Sequence, residues 1–241
     1  MKNLAVDIGN TRIKAAIFYE NDPKEFFVFE KNKTGELEKI LKDQKILNSI
    51  VCSVGRGDEE IKKLLGETSN LTVLNYQTKL PFKNSYETPE TLGMDRVAAI
   101  AGAKHFFGDA ACLVIDCGTC ITYDFITSEN NYIGGAISPG LQMRLNAMNT
   151  FTEKLPLIEF TPTEKFTGGT TKDSMLAGAY FGMAGEINEM IERYFNQFGE
   201  IKVITCGGDS VIFDKHIKRD IFAAPYLVLY GLNNILSFNV R

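Results

Sequence analysis

Residues 4–19 read LAVDIGNTRIKAAIFY. Apolar runs at both ends flank Asp7-Ile8-Gly9-Asn10-Thr11, a carboxylate followed by a glycine and two short polar side chains. The pattern predicts a strand, a tight turn and a second strand. It is not a P-loop, which reads GxxxxGK[ST] and runs from a strand into a helix. Close to half the chain further on, residues 112–127 read CLVIDCGTCITYDFIT, with Asp116-Cys117-Gly118-Thr119 at the same place in the same pattern.

The neighbourhoods of the two turns match as well. LAVDIG, RIKAAIFY and EFFVFEK predict three strands, and CLVIDCGT, CITYDFIT and NYIGGAISPG predict three more. Duplication explains this better than chance. Between the two runs the sequence predicts a helix over 35–47, a buried strand SIVCSV and a short helix DEEIKKLL capped by Asp58. A strand LTVLNY follows, then a loop KLPFKNSYETPETLG and a helix over Met94–Phe107 with Val97, Ile100, Ala101 and Phe107 on one face. After Pro139 come a helix, an irregular stretch and a long helix from about Lys172 to Phe198. Ser174, Gly178, Gly182 and Gly185 on that helix would admit another backbone, from this chain or a second subunit. IKVITCGGDS predicts a strand ending in a glycine turn, and APYLVLYGLNNIL a closing helix. Two α/β halves follow, residues 1–110 and 111–241.

Bulk composition excludes some classes. The 241 residues carry a net charge of −4, which argues against general nucleic-acid binding. No apolar run approaches the ~20 residues of a membrane span. The apolar run Leu4–Val6 ends at Asp7, so no signal sequence is expected. Five scattered cysteines suit a reducing compartment, and the expected location is cytoplasmic. Cys117 and Cys120 form a CxxC, but between strands rather than at a helix start, and without a second ligand pair for zinc. His105 and His216 have no partner that suggests catalysis.

Either glycine turn alone is adequately explained as a hairpin turn. As an equivalent pair, the two read better as a clamp for a polyphosphate: backbone N–H groups, Asn10, Thr11 and Thr119 donate, and Arg12 and Lys14 add positive charge. Asp7 and Asp116 would repel phosphate, so their role is to hold a cation beside it. A phosphoryl-transfer enzyme also orients its acceptor hydroxyl. GMDR offers Asp95 at a helix start, with Arg96 to fix a substrate carboxylate. Capping of that helix and pairing with Arg96 explain Asp95 equally well.

The motifs DIGNTRIK, TPETLGMDR, IDCGTCITYD, GGAISPG, KLP, TGGTTKDS and CGGD, in this order from Asp7 to Asp209, resemble those of the type III pantothenate kinases. These belong to the actin/Hsp70/sugar-kinase superfamily. The resemblance implies duplicated actin-like, ribonuclease H-like domains, each a mixed sheet flanked by helices, with ATP in the interdomain cleft. It implies ATP-dependent phosphorylation of pantothenate to 4′-phosphopantothenate, the first step of coenzyme A biosynthesis. It also implies Mg2+ with the ATP, a monovalent cation (K+ or NH4+) and a homodimer. Asp7, Ile8, Gly9, Asn10, Thr11, Arg12, Ile13, Lys14 and Thr119 would bind ATP, and Asp116 the monovalent cation. Asp95 would be the catalytic base. Tyr86, Gly93, Met94, Asp95, Arg96 and Thr171 would line the substrate pocket, with Thr170 the adjacent alternative to Thr171. Cys120 stands where the family usually has Ala. A regulatory protein of the same fold, or a superfamily kinase for another small hydroxyl substrate, is the alternative.

Overall fold

The computed structural model describes residues 2–53 and 58–240. Val54, the last residue of the predicted strand SIVCSV, lies outside the described residues. The chain forms two compact units. One comprises Met1–Asp109, Ile126–Gly134 and Tyr226–Arg241, the other Ala110–Phe125 and Gly135–Pro225.

In the first unit, β1 (Lys2–Ile8), β2 (Arg12–Tyr19), β3 (Asp22–Glu30), β4 (Asn48–Ser53) and β5 (Asn70–Val73) form a sheet of order β3-β2-β1-β4-β5. The first three strands are antiparallel; β4 runs parallel to β1, and β5 parallel to β4. Alternation sends Leu4, Val6, Ile8, Ile13, Ala15 and Ile17 to one face. There they pack with Leu37 and Ile40 of α1 (Gly35–Asp43) and Ile61 and Leu65 of α2 (Glu59–Thr68). The first helix is shorter than predicted because Gln44 turns extended, at φ −121° and ψ 130°. Asp58 precedes α2 without making a side-chain cap; its carboxylate pairs with Lys62 at 3.1 Å instead.

The opposite sheet face carries α3 (Met94–Phe107) and the closing helix α7 (Leu227–Asn239). Contrary to the single apolar face expected of α3, Val97 through Ala103 are all buried. The reason is a glycine notch between the two helices. A Cβ on Gly231 would lie 1.7 Å from the Ala98 carbonyl oxygen, and one on Gly102 would lie 2.3 Å from that of Leu227. The closing helix is thereby grouped with the first unit, whereas the sequence reading placed all of 111–241 together.

A row of amides joins this helix to the sheet. Asn70 Nδ2 donates to Asn48 Oδ1 (3.3 Å), Asn48 to Asn3 (3.2 Å) and Asn3 to Asn233 (3.1 Å). Asn233 then donates to the Glu20 carbonyl at 2.9 Å. Asn3, Asn48 and Asn233 are all buried, so each amide depends on its neighbour. Asn233→Leu strands the Asn3 amide and should cost about 1–3 kcal/mol, read as a lowered midpoint in urea unfolding.

The second sheet repeats the first. It contains β7 (Cys112–Cys117), β8 (Cys120–Ile126), β9 (Asn131–Pro139), β10 (Lys202–Cys206) and β11 (Phe222–Ala223), ordered β9-β8-β7-β10-β11. As in the first sheet, the fourth strand runs parallel to the first and the fifth parallel to the fourth. The short β6 (Lys83–Asn84) pairs with the start of β9, Lys83 opposite Asn131. Strands β6 and β11 have two residues each, too short for any periodicity to reveal. The core of the second unit joins Leu113, Ile115, Ile121, Tyr123 and Phe125 to α4 (Leu141–Thr150), α5 (Thr171–Phe198) and Phe213 of the short α6 (Ser210–Phe213).

Candidate active site

The aspartates of the two turns occupy equivalent positions. From Asn3 on β1 and from Cys112 on β7, four buried residues precede a half-buried Asp and a final buried residue. Asp7 and Asp116 are the half-buried members. Each turn closes by a glycine N–H. Gly9 donates to the Arg12 carbonyl at 3.0 Å, and Gly118 to that of Cys120 at 2.9 Å. The first turn is one residue longer, so Arg12 rather than Thr11 corresponds to Cys120.

Within the first turn the predicted residues separate by role. Asn10 and Thr11 are exposed, whereas the side chains of Ile8 and Ile13 belong to the core, leaving only their backbone for a ligand. Lys14 lies opposite Asp7 across β1 and β2. Arg12 lines an open hollow of about 780 Å³ with β3 and α1, beside Phe27, Glu30, Lys33 and Glu36.

On its other side Asp7 is in register with Cys52 of β4. Burial, then the carboxylates of Asp7 and Asp95, push the Cys52 thiol well above its ordinary pKa. One buried, neutral thiol therefore sits within the fields of both carboxylates. Asp95 lies in the first turn of α3, where its Oδ1 accepts the Arg96 N–H at 2.9 Å. Gly93 precedes the helix, and a Cβ there would meet the same Oδ1 at 2.5 Å. Met94 is half-buried beside it.

Arg96 is buried, and its guanidinium lies 5.6 Å from the Tyr86 ring centroid. Such a contact favours a cation at this position. Tyr86 in turn stacks on Tyr132, centroids 6.3 Å apart with planes at 6°. It also covers Gly134, where φ is +98° and a Cβ would come within 3.1 Å of the ring. Tyr86, Gly93, Met94, Asp95 and Arg96 all lie in the first unit. Sequence reading missed Cys52, Tyr132 and Gly134; the GG pair in NYIGGAISPG was the one available signal.

In the second unit, Thr119 is exposed at the tip of its turn. The glycine turn after β10 packs against Asp116. At Gly207, φ is +89°, and a Cβ would lie 2.4 Å from Asp116 Oδ1 and 2.3 Å from the Cys117 carbonyl oxygen. Gly207 therefore packs its backbone directly against the Asp116 carboxylate and the Cys117 carbonyl, an approach that only glycine permits. Asp209 N–H donates to the Cys117 carbonyl at 3.0 Å, and burial raises the Asp209 carboxyl above its usual pKa. Among the described residues no group of three or more His, Cys, Asp or Glu forms a metal cage. Magnesium needs none when phosphates and water supply most of its ligands. Thr170 Oγ1 caps α5 by accepting the Asp173 N–H at 3.1 Å, and Thr171 is exposed as the first residue of that helix.

The histidines serve packing. His216 makes edge contacts with Tyr180 and Phe181, and His105 with Phe106. Cys117 is buried in β7 and Cys120 half-buried in β8, with no disulfide between them.

Two sheets of one topology, each with an Asp–Gly turn after its first strand, define an actin-like fold. Solved structures agree. A ROK family glucokinase from Streptomyces griseus, in complex with glucose and AMPPNP, matches with a TM-score of 0.56 at 13% identity over 99% of both chains. A Campylobacter jejuni protein named for the Baf family of transcriptional activators matches with a TM-score of 0.62 at 20% identity over 98% of both. The family model of the type III pantothenate kinases matches residues 3–193. The Christiangramia forsetii enzyme of that name is 41% identical over 98% of both chains, and that of Flavobacterium johnsoniae 38% over 98% of both. The chain belongs to the type III pantothenate kinase family. It is a phosphotransferase, and its reaction is the ATP-dependent phosphorylation of pantothenate in coenzyme A biosynthesis.

Proposed function

We propose that each unit supplies one phosphate-binding turn to ATP and that the first unit also holds the acceptor. Gly9, Asn10, Thr11 and Lys14 contact the phosphates from the first turn, and Thr119 from the second. The observation that carries this is the matched pair of half-buried aspartates, each beside a glycine turn on a repeated sheet. Asp7 faces the Mg2+ of the nucleotide, whose charge offsets the developing charge on the transferred phosphoryl group. Asp116, against the Gly207 backbone, holds the monovalent cation, K+ or NH4+.

Arg96 pairs with the carboxylate of pantothenate against the Tyr86 ring, with Gly93 and Met94 beside it. Asp95 aligns the primary hydroxyl and takes its proton as the phosphoryl group leaves ATP. Its bond to the Arg96 N–H fixes the carboxylate. Thr171 is the remaining substrate contact, because the Thr170 hydroxyl is already used as a cap. Thr171→Val should raise KM for pantothenate about tenfold, one lost hydrogen bond, without moving Tm. Thr170→Val should lower stability by about 1 kcal/mol and leave that KM nearly unchanged. Steady-state kinetics and thermal melts on both variants test the assignment; the reverse pattern would exchange the two roles.

The working form is a homodimer. Ser174, Gly178, Gly182 and Gly185 form an exposed strip on α5, and a Cβ on any of the three glycines would meet open space. Phe166 and Phe181 flank a hollow of about 520 Å³ over this strip. Sedimentation velocity distinguishes a pair from a single chain. The setting is the cytoplasm, in keeping with the cysteine usage; no described helix is long and apolar enough to cross a membrane.

A further inference from the structure

One ion pair in the second unit lies outside every role assigned so far. Arg144 of α4 and Glu186 of α5 are paired, with side chains 21% and 27% exposed. Glu186 Oε1 accepts the Tyr123 hydroxyl at 3.0 Å, and Oε2 accepts that of Ser138 at 3.1 Å. Arg144 Nη2 donates to Ser138 Oγ at 3.0 Å, and its Nε donates to the Pro139 carbonyl at 2.8 Å. A cation and an anion from two helices therefore grip the same short segment, Ser138-Pro139, at the end of β9.

That segment leads directly to the second phosphate turn. Gly140 N–H donates to the Thr119 carbonyl at 3.1 Å. A Cβ on Gly140 would lie 2.3 Å from the Gly118 carbonyl oxygen and 2.5 Å from that of Thr119, so the two backbones are in direct contact. The Arg144 N–H donates to the Gly140 carbonyl at 3.0 Å, starting α4 at the same point. The contacts run without a break from Glu186 through Arg144, Pro139 and Gly140 to Gly118-Thr119.

We propose that Arg144 and Glu186 are positioning residues for the second phosphate turn, holding Gly118-Thr119 in its ATP-binding shape through Ser138-Pro139-Gly140. Neither touches the nucleotide. Arg144 fixes the Pro139 carbonyl by a charge-assisted bond, and Glu186 orients Arg144 while tying β8 and β9 to α5 through Tyr123 and Ser138. A half-buried pair of this kind adds little net stability but fixes geometry. The proposal rests on the assignment of Thr119 to ATP.

The test compares Arg144→Met, the double variant Arg144→Met with Glu186→Leu, and Thr119→Val. Each is titrated calorimetrically with a non-hydrolysable ATP analogue, and KM for pantothenate, Tm and amide exchange of residues 112–126 are measured. Arg144→Met should weaken analogue binding five- to twentyfold, speed exchange at Gly118 and leave KM for pantothenate within twofold. In the double variant no charge is left unpaired, so Tm should recover in part, short of the Tyr123 hydroxyl's lost acceptor, while analogue binding stays weak. A purely structural pair would restore both together, and that result overturns the proposal. So does unchanged analogue binding in Arg144→Met. If Thr119→Val then binds weakly, the positioning role alone has failed; if it too binds normally, the assignment of the turn to ATP has failed with it.

Discussion

Asp95→Asn should lower kcat on the order of 10²–10⁴-fold, the range spanned by a positioned general base. The substitution keeps the size of the side chain and the oxygen that accepts the Arg96 N–H at 2.9 Å. What it removes is the negative charge and the capacity to take a proton from the acceptor hydroxyl. Binding of ATP should be nearly intact, since the expected phosphate contacts lie in the two glycine turns. Pantothenate should still bind, because Arg96 and Tyr86 are unchanged. Rapid-quench measurement of a single turnover isolates the chemical step. A wild-type burst in Asp95→Asn would reduce Asp95 to a helix-terminal residue, the reading its bond to Arg96 alone would also permit.

Gly231→Ala should be the most damaging substitution for folding. Its Cβ would stand 1.7 Å from the Ala98 carbonyl oxygen and 2.7 Å from the Gly102 nitrogen. Both are backbone atoms, so no rotamer change relieves the clash, and α3 and α7 must separate. Overpacking typically costs about 1–3 kcal/mol where side chains can yield, and this site should exceed that. A fall in Tm of roughly 10 °C is expected for a chain of this size. Gly66→Ala, in α2, where the nearest atom to the new Cβ would be Leu71 Cδ2 at 3.9 Å, serves as the control and should be neutral or slightly stabilising. Equal Tm values for the two variants would show that the helices are not held at the notch.

The repeated sheet was legible because its signals are local. Alternating apolar residues, Asp-x-Gly turns and short connections predict three antiparallel strands twice over, and the order β3-β2-β1-β4-β5 recurs as β9-β8-β7-β10-β11. The return of α7 to the first unit was not legible. It depends on Gly102 and Gly231, far apart in sequence, each removing a side chain opposite the other helix. The site divides in the same way. Asp7, Asp95 and Asp116 stand out as carboxylates beside glycines or a helix start. That Asp7 and Asp95 share the buried Cys52 follows only from the β1–β4 register and the packing of α3 on β4. The grip of Arg144 and Glu186 on Ser138-Pro139 depends on two helices meeting at one strand end, which no spacing announces.

On the proposed reading, these residues transfer the phosphoryl group of ATP to pantothenate, and a monovalent cation assists. The direct measurement is ADP formation by the purified chain with Mg2+ and ATP, with and without pantothenate, in potassium and in sodium buffer. The predicted result is turnover that requires pantothenate and runs faster in potassium. Absence of pantothenate-dependent ADP formation in potassium would contradict it.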